Sequence, residues 1–354
     1  MSVCLGAGGV GKTTVAAALG VAAAEAGRTA MVLTIDPAHR LAQILGLEAT
    51  GLDHEPRLVH GPWPGRLWAA MLDPAATFAA AVAAQPGGDQ VLDHRLVDLV
   101  TTTLSGVNEY MAVERLDQLR QDDRFERIIV DTPPARHAID FLDSPDRLIR
   151  MIDNRLFGAL IASSTNPVGM VRNPFGAAAR LMARLVGRVI GSELVGEVID
   201  LFAALDGMAD GFRTRAARTN ALLAGPATTY TVVTTPRQEP LDQARWILDQ
   251  LAIRRLRVHQ LVINRLTPFP PASTDHRASP SDDPLARNLA ELRWLAGHER
   301  ALVGRMLDDL RRQDSIADRV VELVDRADPM TDLVQLRSLA EDLGETQDRP
   351  GSPG

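Results

Sequence analysis

The sequence predicts an α/β protein: a mostly parallel sheet with helices on both faces and an inserted all-helical block. Two observations predict it. Short apolar, β-rich stretches alternate with helical patterns through most of the 354 residues, as in a parallel sheet covered on both sides. A stretch from about 145 to 223 carries no strand pattern and reads as several helices.

The elements follow in order. Residues 3–5 form a short apolar strand, which either starts at the terminus or has its true start upstream. A glycine-rich turn follows, then an alanine-rich helix over 14–26 stopped by Gly27. Residues 29–35 are β-rich and apolar, and 67–72 form the next strand. A helix over 74–84, a Gly/Pro loop at 85–89 and helices over 92–104 and 107–119 make a helical insertion at about 74–120. Residues 127–130 are a buried strand ending at Asp131. Strands return at 229–234, 258–263 and 319–324, and a long helix covers 284–312. The Pro/Ser/Asp-rich stretch 270–284 reads as a mobile loop. The expected organisation is a sheet-bearing core in two parts, 1–144 and 224–343, around a helical subdomain at 145–223, with a disordered tail at 344–354.

Composition removes several readings. Apolar residues make 45 % and charged residues 23 %, ordinary for a globular chain. The net charge of -7 and pI near 5.7 argue against a dedicated nucleic-acid binder. One cysteine, Cys4, excludes a disulfide framework and a multi-cysteine zinc cluster within the chain. No apolar run is long enough to span a membrane and no signal-peptide pattern opens the chain. A cytoplasmic enzyme is therefore expected.

Of 38 basic residues only Lys12 is a lysine. Arginine is a wide planar fork and lysine a compact point charge. A site needing a small cation inside a tight loop of amides resists replacement by arginine. Lys12 sits in such a loop: Gly6-Ala7-Gly8-Gly9-Val10-Gly11-Lys12-Thr13 fits G-x-x-x-x-G-K-[ST], between a strand and a helix. Glycines let backbone amides converge on phosphate oxygens, and the following helix adds its positive end. Lys12 would lie along the β/γ-phosphates and Thr13 would ligate Mg²⁺. The fold expectation sharpens to a P-loop NTPase.

Nucleotide hydrolysis also needs a group to place water and a second magnesium contact. Asp36 ends the second strand and Asp131 ends 127–130. Ligands of open parallel sheets bind at the carboxyl ends of the strands, so both aspartates would face the loop. Each stands just before a proline-bearing segment and can equally serve as a helix N-cap.

These motifs resemble a known family. The loop through Thr13 and Thr14, Asp36-Pro37-Ala38-His39, Asp131-Thr132-Pro133-Pro134, Ser105-Gly106-x-Asn108-Glu109-Tyr110 and the strand ending Val262-Ile263-Asn264 are similar to those of the arsenite-pump and tail-anchored-protein-targeting ATPases. More narrowly the chain resembles their actinobacterial anion-transporting branch. The resemblance implies ATP and Mg²⁺ as ligands, with water polarised by Asp36 and magnesium held by Asp131 through water. It also implies adenine contacts from Asn264, with Pro329 beside it, and a dimer whose helical blocks rearrange with nucleotide state.

Two departures qualify what the resemblance implies. The family's loop carries a lysine at its second position that reaches the partner subunit's phosphates; here that residue is Ala7. A lysine-bearing paralogue in a heterodimer, an arginine such as Arg40 or Arg136, or slow turnover would each account for it. Second, one cysteine cannot make a three-thiolate arsenite site or the family's Cys-x-x-Cys zinc junction. Met151, Met170, Met182 and Met208 in the helical block can line a groove for an apolar helix or membrane-protein cargo, or serve simply as core. Arg180, Arg184 and Arg188 recur at four-residue spacing, either a solvated face or a lipid contact. His39 and His137 lack companions at metal-ligand spacing. Two rivals stand beside the ATPase reading: a nucleotide-binding regulatory subunit, favoured by Ala7, and a ParA/MinD-type positioning ATPase. The long helical block and the lack of a terminal amphipathic helix oppose the second.

Overall fold

The computed structural model describes residues 1–36, 40–47, 52, 54–85, 107–152, 209–270, 284–313, 317–326 and 333–344. In chain order these form β1 (Ser2–Gly6), α1 (Lys12–Glu25), β2 (Thr29–Thr34), α2 (Arg40–Ile44), β3 (Arg57–Val59), β4 (Arg66–Met71), α3 (Pro74–Ala83), α4 (Val107–Gln121), β5 (Arg127–Asp131), α5 (Ala135–Ile152), α6 (Ala209–Ala224), β6 (Thr229–Thr234), α7 (Gln238–Ile253), β7 (Val258–Leu266), α8 (Pro284–Arg312), β8 (Arg319–Val324) and α9 (Leu333–Gly344). The eight strands make one sheet in the order β3-β4-β2-β5-β1-β6-β7-β8. All neighbours are parallel except the edge pair β3–β4. The predicted α/β fold with a mostly parallel sheet is the one observed.

Central strands read as continuous apolar runs because both faces are covered. β1, β2 and β5 are buried along almost their whole length. α1 follows the same logic. Its alanines and valines are buried on nearly every side, the signature of a helix enclosed rather than lying on a surface. It packs between the sheet and α9, and Arg337 Nε of α9 donates to Glu25 Oε1 at 2.6 Å. Burying small side chains lets this helix approach the sheet closely and brings its N-terminus over the end of β1.

The strand order positions the chemistry. Although β1 and β2 are consecutive along the chain, β5 lies between them. The register aligns Cys4 with Asp131 and Thr34 with Asp131. Three strand ends therefore meet where the glycine loop leaves β1.

The chain divides into two compact units. The first, Met1–Met71, Asp123–Ile139 and Ala224–Gly354, holds the sheet. The second, Leu72–Asp122 with Asp140–Leu223, is helical in its described part and takes in helices from both the 74–120 and the 145–223 stretches. Ion pairs join α4 to α6 within it: Arg215 Nε to both Glu114 carboxylate oxygens at 2.7 and 2.8 Å, and Arg218 Nη2 to Asp117 Oδ2 at 2.6 Å.

Three elements escape the sequence pattern. β3 is three residues long and α2 five, each too short for a periodicity. α5 begins at Ala135, ten residues ahead of the expected helical block, because Pro145 lies inside it and breaks the pattern there. The helix expected at 92–104, most of the 145–223 block and the tail at 345–354 lie outside the described residues. No described helix is long and apolar enough to cross a membrane.

Candidate functional site

The glycine loop is held by its surroundings as well as by its own turns. Gly11 has φ 97°, and a Cβ there would stand 2.3 Å from Asn264 Nδ2, so position 11 excludes a side chain twice over. At Gly6 a Cβ would come within 2.2 Å of the Val233 carbonyl oxygen on β6. Asn264 Nδ2 donates to the Val10 carbonyl at 2.8 Å, and Arg265 Nη1 donates to the Gly9 carbonyl at 3.1 Å. The register of β7 shifts between Ile263 and Leu266, and Arg265 takes φ 61° there. This irregularity turns Asn264 and Arg265 toward the loop.

Lys12 opens α1 and is buried, and its Nζ donates to the Ala7 carbonyl at 2.8 Å across the loop. Burial lowers its pKa; Asp131, Asp36 and Cys4 oppose that, and Arg40 adds to it. The loop thus encloses a cation that lacks full solvation. Ala7 is 4 % exposed.

Asp131 is fully buried at the end of β5. Thr34 Oγ1 donates to its Oδ2 at 3.0 Å, while Oδ1 is buried with no hydrogen-bond partner among the described residues. Burial pushes the carboxyl up to about 6, against the opposing influence of the Thr13 and Thr34 hydroxyls and the Lys12 ammonium. Thr132 Oγ1 donates to the Cys4 carbonyl at 2.6 Å and locks β5 to β1. A buried carboxylate oxygen without a donor is suited to a cation or a cation-bound water. Thr13 lies beside it and Asp36 contributes to the same field. Among the described residues no cluster of three or more His, Cys, Asp or Glu could hold a metal alone. That fits Mg²⁺, which takes one or two protein ligands and completes its shell with phosphate and water.

A cavity of about 890 Å³ opens over these groups, within the first unit. The loop and the start of α1, through Thr14, form its floor. Asp36 with Arg40, Gln43 and Ile44 of α2 line one wall; Asn264, Arg265, the end of β8 with Asp325 and Arg326, and Leu339 and Asp342 of α9 line the others. The structure therefore gathers Gly8, Gly9, Gly11, Lys12, Thr13, Thr14, Asp36 and Asn264 around one space, with Asp131 buried beneath it. Pro329 and His39 lie outside the described residues. Arg136 and His137 line a separate groove of about 640 Å³ with Trp246 of α7.

Sequence reasoning missed Arg265, Arg326, Asp325 and Asp342. Arg326 donates to Asp342 Oδ2 at 3.1 Å, to Ser338 Oγ at 3.2 Å and to the Gln335 carbonyl at 3.2 Å, fastening β8 to α9. These residues carry no motif. For Arg265, Asp325 and Arg326 the only local signal is their place just after predicted strands, where parallel sheets bind ligands; Asp342, inside α9, has none.

Comparison with known proteins agrees with this geometry. The family model described as anion-transporting ATPase matches residues 2–278. A Babesia bovis protein named ATPase ASNA1 homolog is 28 % identical over 206 residues, 55 % of this chain and 51 % of that protein. ATPase ARSA1 of Chlamydomonas reinhardtii is 32 % identical over 171 residues, 40 % of this chain and 22 % of that protein. ATPase GET3 of Chaetomium globosum is 24 % identical over 274 residues, 76 % of this chain and 73 % of that protein. The chain thus spans about half, or less, of the first two relatives.

Proposed function

The chain belongs to the anion-transporting ATPase family, and from that premise we propose that it binds ATP with Mg²⁺ and hydrolyses its terminal phosphoanhydride. The observation that carries the reading is the gathering of Lys12, Thr13 and Asp36 around one glycine-loop cavity, with Asp131 buried at the carboxyl ends of the same parallel strands.

The residues divide the work. Loop amides and Lys12 hold the β/γ-phosphates, and on ATP binding the Lys12 ammonium exchanges the Ala7 carbonyl for phosphate oxygen. Asp36 accepts a hydrogen bond from the attacking water and aims its oxygen at the γ-phosphorus. The bond from the γ-phosphorus to the bridging oxygen breaks, ADP carries off the electron pair, and inorganic phosphate is released. Thr13, Asp131 and Asp36 would hold Mg²⁺, which neutralises charge on the β- and γ-oxygens when bound. Asn264 uses one N–H on Val10 and its Oδ1 on the Arg265 amide. It keeps a second N–H and a lone pair for an adenine edge.

The finer reading is a dimer whose nucleotide state rearranges its helical unit, with an apolar helix or membrane-protein segment as cargo. The helical second unit and the methionines at 151, 170, 182 and 208 in the sequence motivate it. Steady-state ATP turnover of the purified chain against Lys12→Ala and Asp36→Asn tests the catalytic core. The expected result is turnover abolished by both, with ATP binding retained in Asp36→Asn. Intact turnover in Asp36→Asn would remove Asp36 from its role. Buried Ala7 favours one other reading, a regulatory subunit that needs a lysine-bearing paralogue; ATP binding by the wild-type chain without turnover would select it.

A further inference from the structure

Resting on the ATPase reading, we propose that Arg40 is the second phosphate-contacting cation of this site, supplied by the chain's own α2. The need is chemical. Charge accumulates on the γ-phosphoryl oxygens in the transition state, and a second cation beside the loop lysine stabilises it. Lys12 is the single lysine, so an arginine must serve if the chain provides that charge itself.

Elimination among the arginines that line the cavity with Lys12 leaves one. Arg265 lines the cavity but donates to the Gly9 carbonyl and braces the loop. Arg326 lines it too, but its guanidinium is engaged by Asp342, Ser338 and Gln335. Arg136 lines the separate groove beside Trp246. Arg40 lines the cavity, is exposed to it, and makes no hydrogen bond or ion pair among the described residues. Arg40 and Lys12 line the same cavity, and a polyphosphate held between two cations is attracted by both. Arg40 stands four residues after Asp36, on the same wall. Its fork is therefore assigned to the γ-phosphate, where it can take two oxygens at once.

The test is binding and turnover of Arg40→Ala, Arg40→Lys and Arg136→Ala, each checked for an unchanged melting temperature. If Arg40 reads the γ-phosphate, Arg40→Ala binds a non-hydrolysable ATP analogue about tenfold more weakly. ADP binding stays within about twofold, since ADP lacks the group contacted. Its kcat falls by about 10³-fold, Arg40→Lys recovers part of that loss, and Arg136→Ala stays near wild type. Equal loss for ADP and the analogue, or no loss for either, overturns the proposal; so does a kcat defect in Arg136→Ala with none in Arg40→Ala. A wild-type chain that binds nucleotide but never turns over sinks the hydrolase reading instead. The ATP-analogue-to-ADP comparison still decides the assignment of Arg40 in that case.

Discussion

At the scale of residues, Asp131 sets folding against function. Its carboxyl sits at about 6 in the fold and at 3.8 in a free chain, with burial as the main cause. The folded state therefore holds the proton more tightly, and stability falls as pH rises from about 4 through 6. Two units correspond to about 3 kcal/mol of cost at neutral pH. Asp131→Asn removes the buried charge and keeps an acceptor for Thr34. The expectation is a nucleotide-free protein with a higher melting temperature at pH 7.5, a gain that shrinks as pH is lowered through 6, and turnover down by at least about 10²-fold. A variant that loses stability at pH 7.5 would show that the carboxylate is not the strained partner. A second prediction concerns Gly11. Its positive φ and the 2.3 Å approach of Asn264 Nδ2 leave no room for a methyl group. Gly11→Ala should displace Asn264 and weaken ATP binding by at least about tenfold, read by calorimetric titration. Both positions were legible in the sequence, because a glycine loop and an aspartate at a strand end are local patterns with a mechanism. Arg265 and Arg326 were not, because their partners lie 256 and 9 to 16 residues away along the chain, and only the folded sheet brings them to the cavity.

At the scale of elements, the two ion pairs joining α4 to α6 should behave differently. Glu114 is 1 % exposed and Arg215 13 %, and burial holds the Glu114 carboxyl above its usual range despite Arg215. Asp117 is buried, but Arg218 is 52 % exposed. Removing one partner of a buried pair strands the other charge at about 3–5 kcal/mol, whereas a pair open to water is worth about 1 kcal/mol or less. Arg215→Met should therefore destabilise the helical unit strongly in urea melts followed by circular dichroism, and Arg218→Met only slightly. The double change Glu114→Met with Arg215→Met should recover most of the loss. The Arg215→Met defect should also shrink on acidification, because protonation removes the stranded charge. Equal effects of Arg215→Met and Arg218→Met would mean that burial does not set the strength of these pairs. The long apolar strands and the run of α8 were readable as elements because their periodicity is long. β3 and the start of α5 were not, one being too short and the other interrupted by Pro145.

At the scale of the whole molecule, the sheet-bearing unit gathers its ligand site from segments far apart in sequence. The loop comes from residues 8–14, one wall from Asp36 and 40–44, and the opposite walls from 264–265, 323–326 and 339–342. A ligand touching all of them must be released before that unit can unfold. It therefore stabilises the fold by mass action, about 2.7 kcal/mol at a concentration one hundred times its Kd. ATP with Mg²⁺ should raise the melting temperature by a few degrees, and chelating the metal should remove part of that gain. Lys12→Ala should lose nearly all of it while melting near wild type without nucleotide, since Lys12 is a buried cation that donates to a loop carbonyl. The second unit shares none of the lining residues. Arg215→Met should therefore lower the helical unit's own unfolding transition while leaving the nucleotide-induced shift in place. Loss of that shift in Arg215→Met, with Lys12 intact, would mean that the nucleotide is sensed by both units at once. The molecule would then have to be treated as one cooperative body rather than a binding core carrying a helical partner.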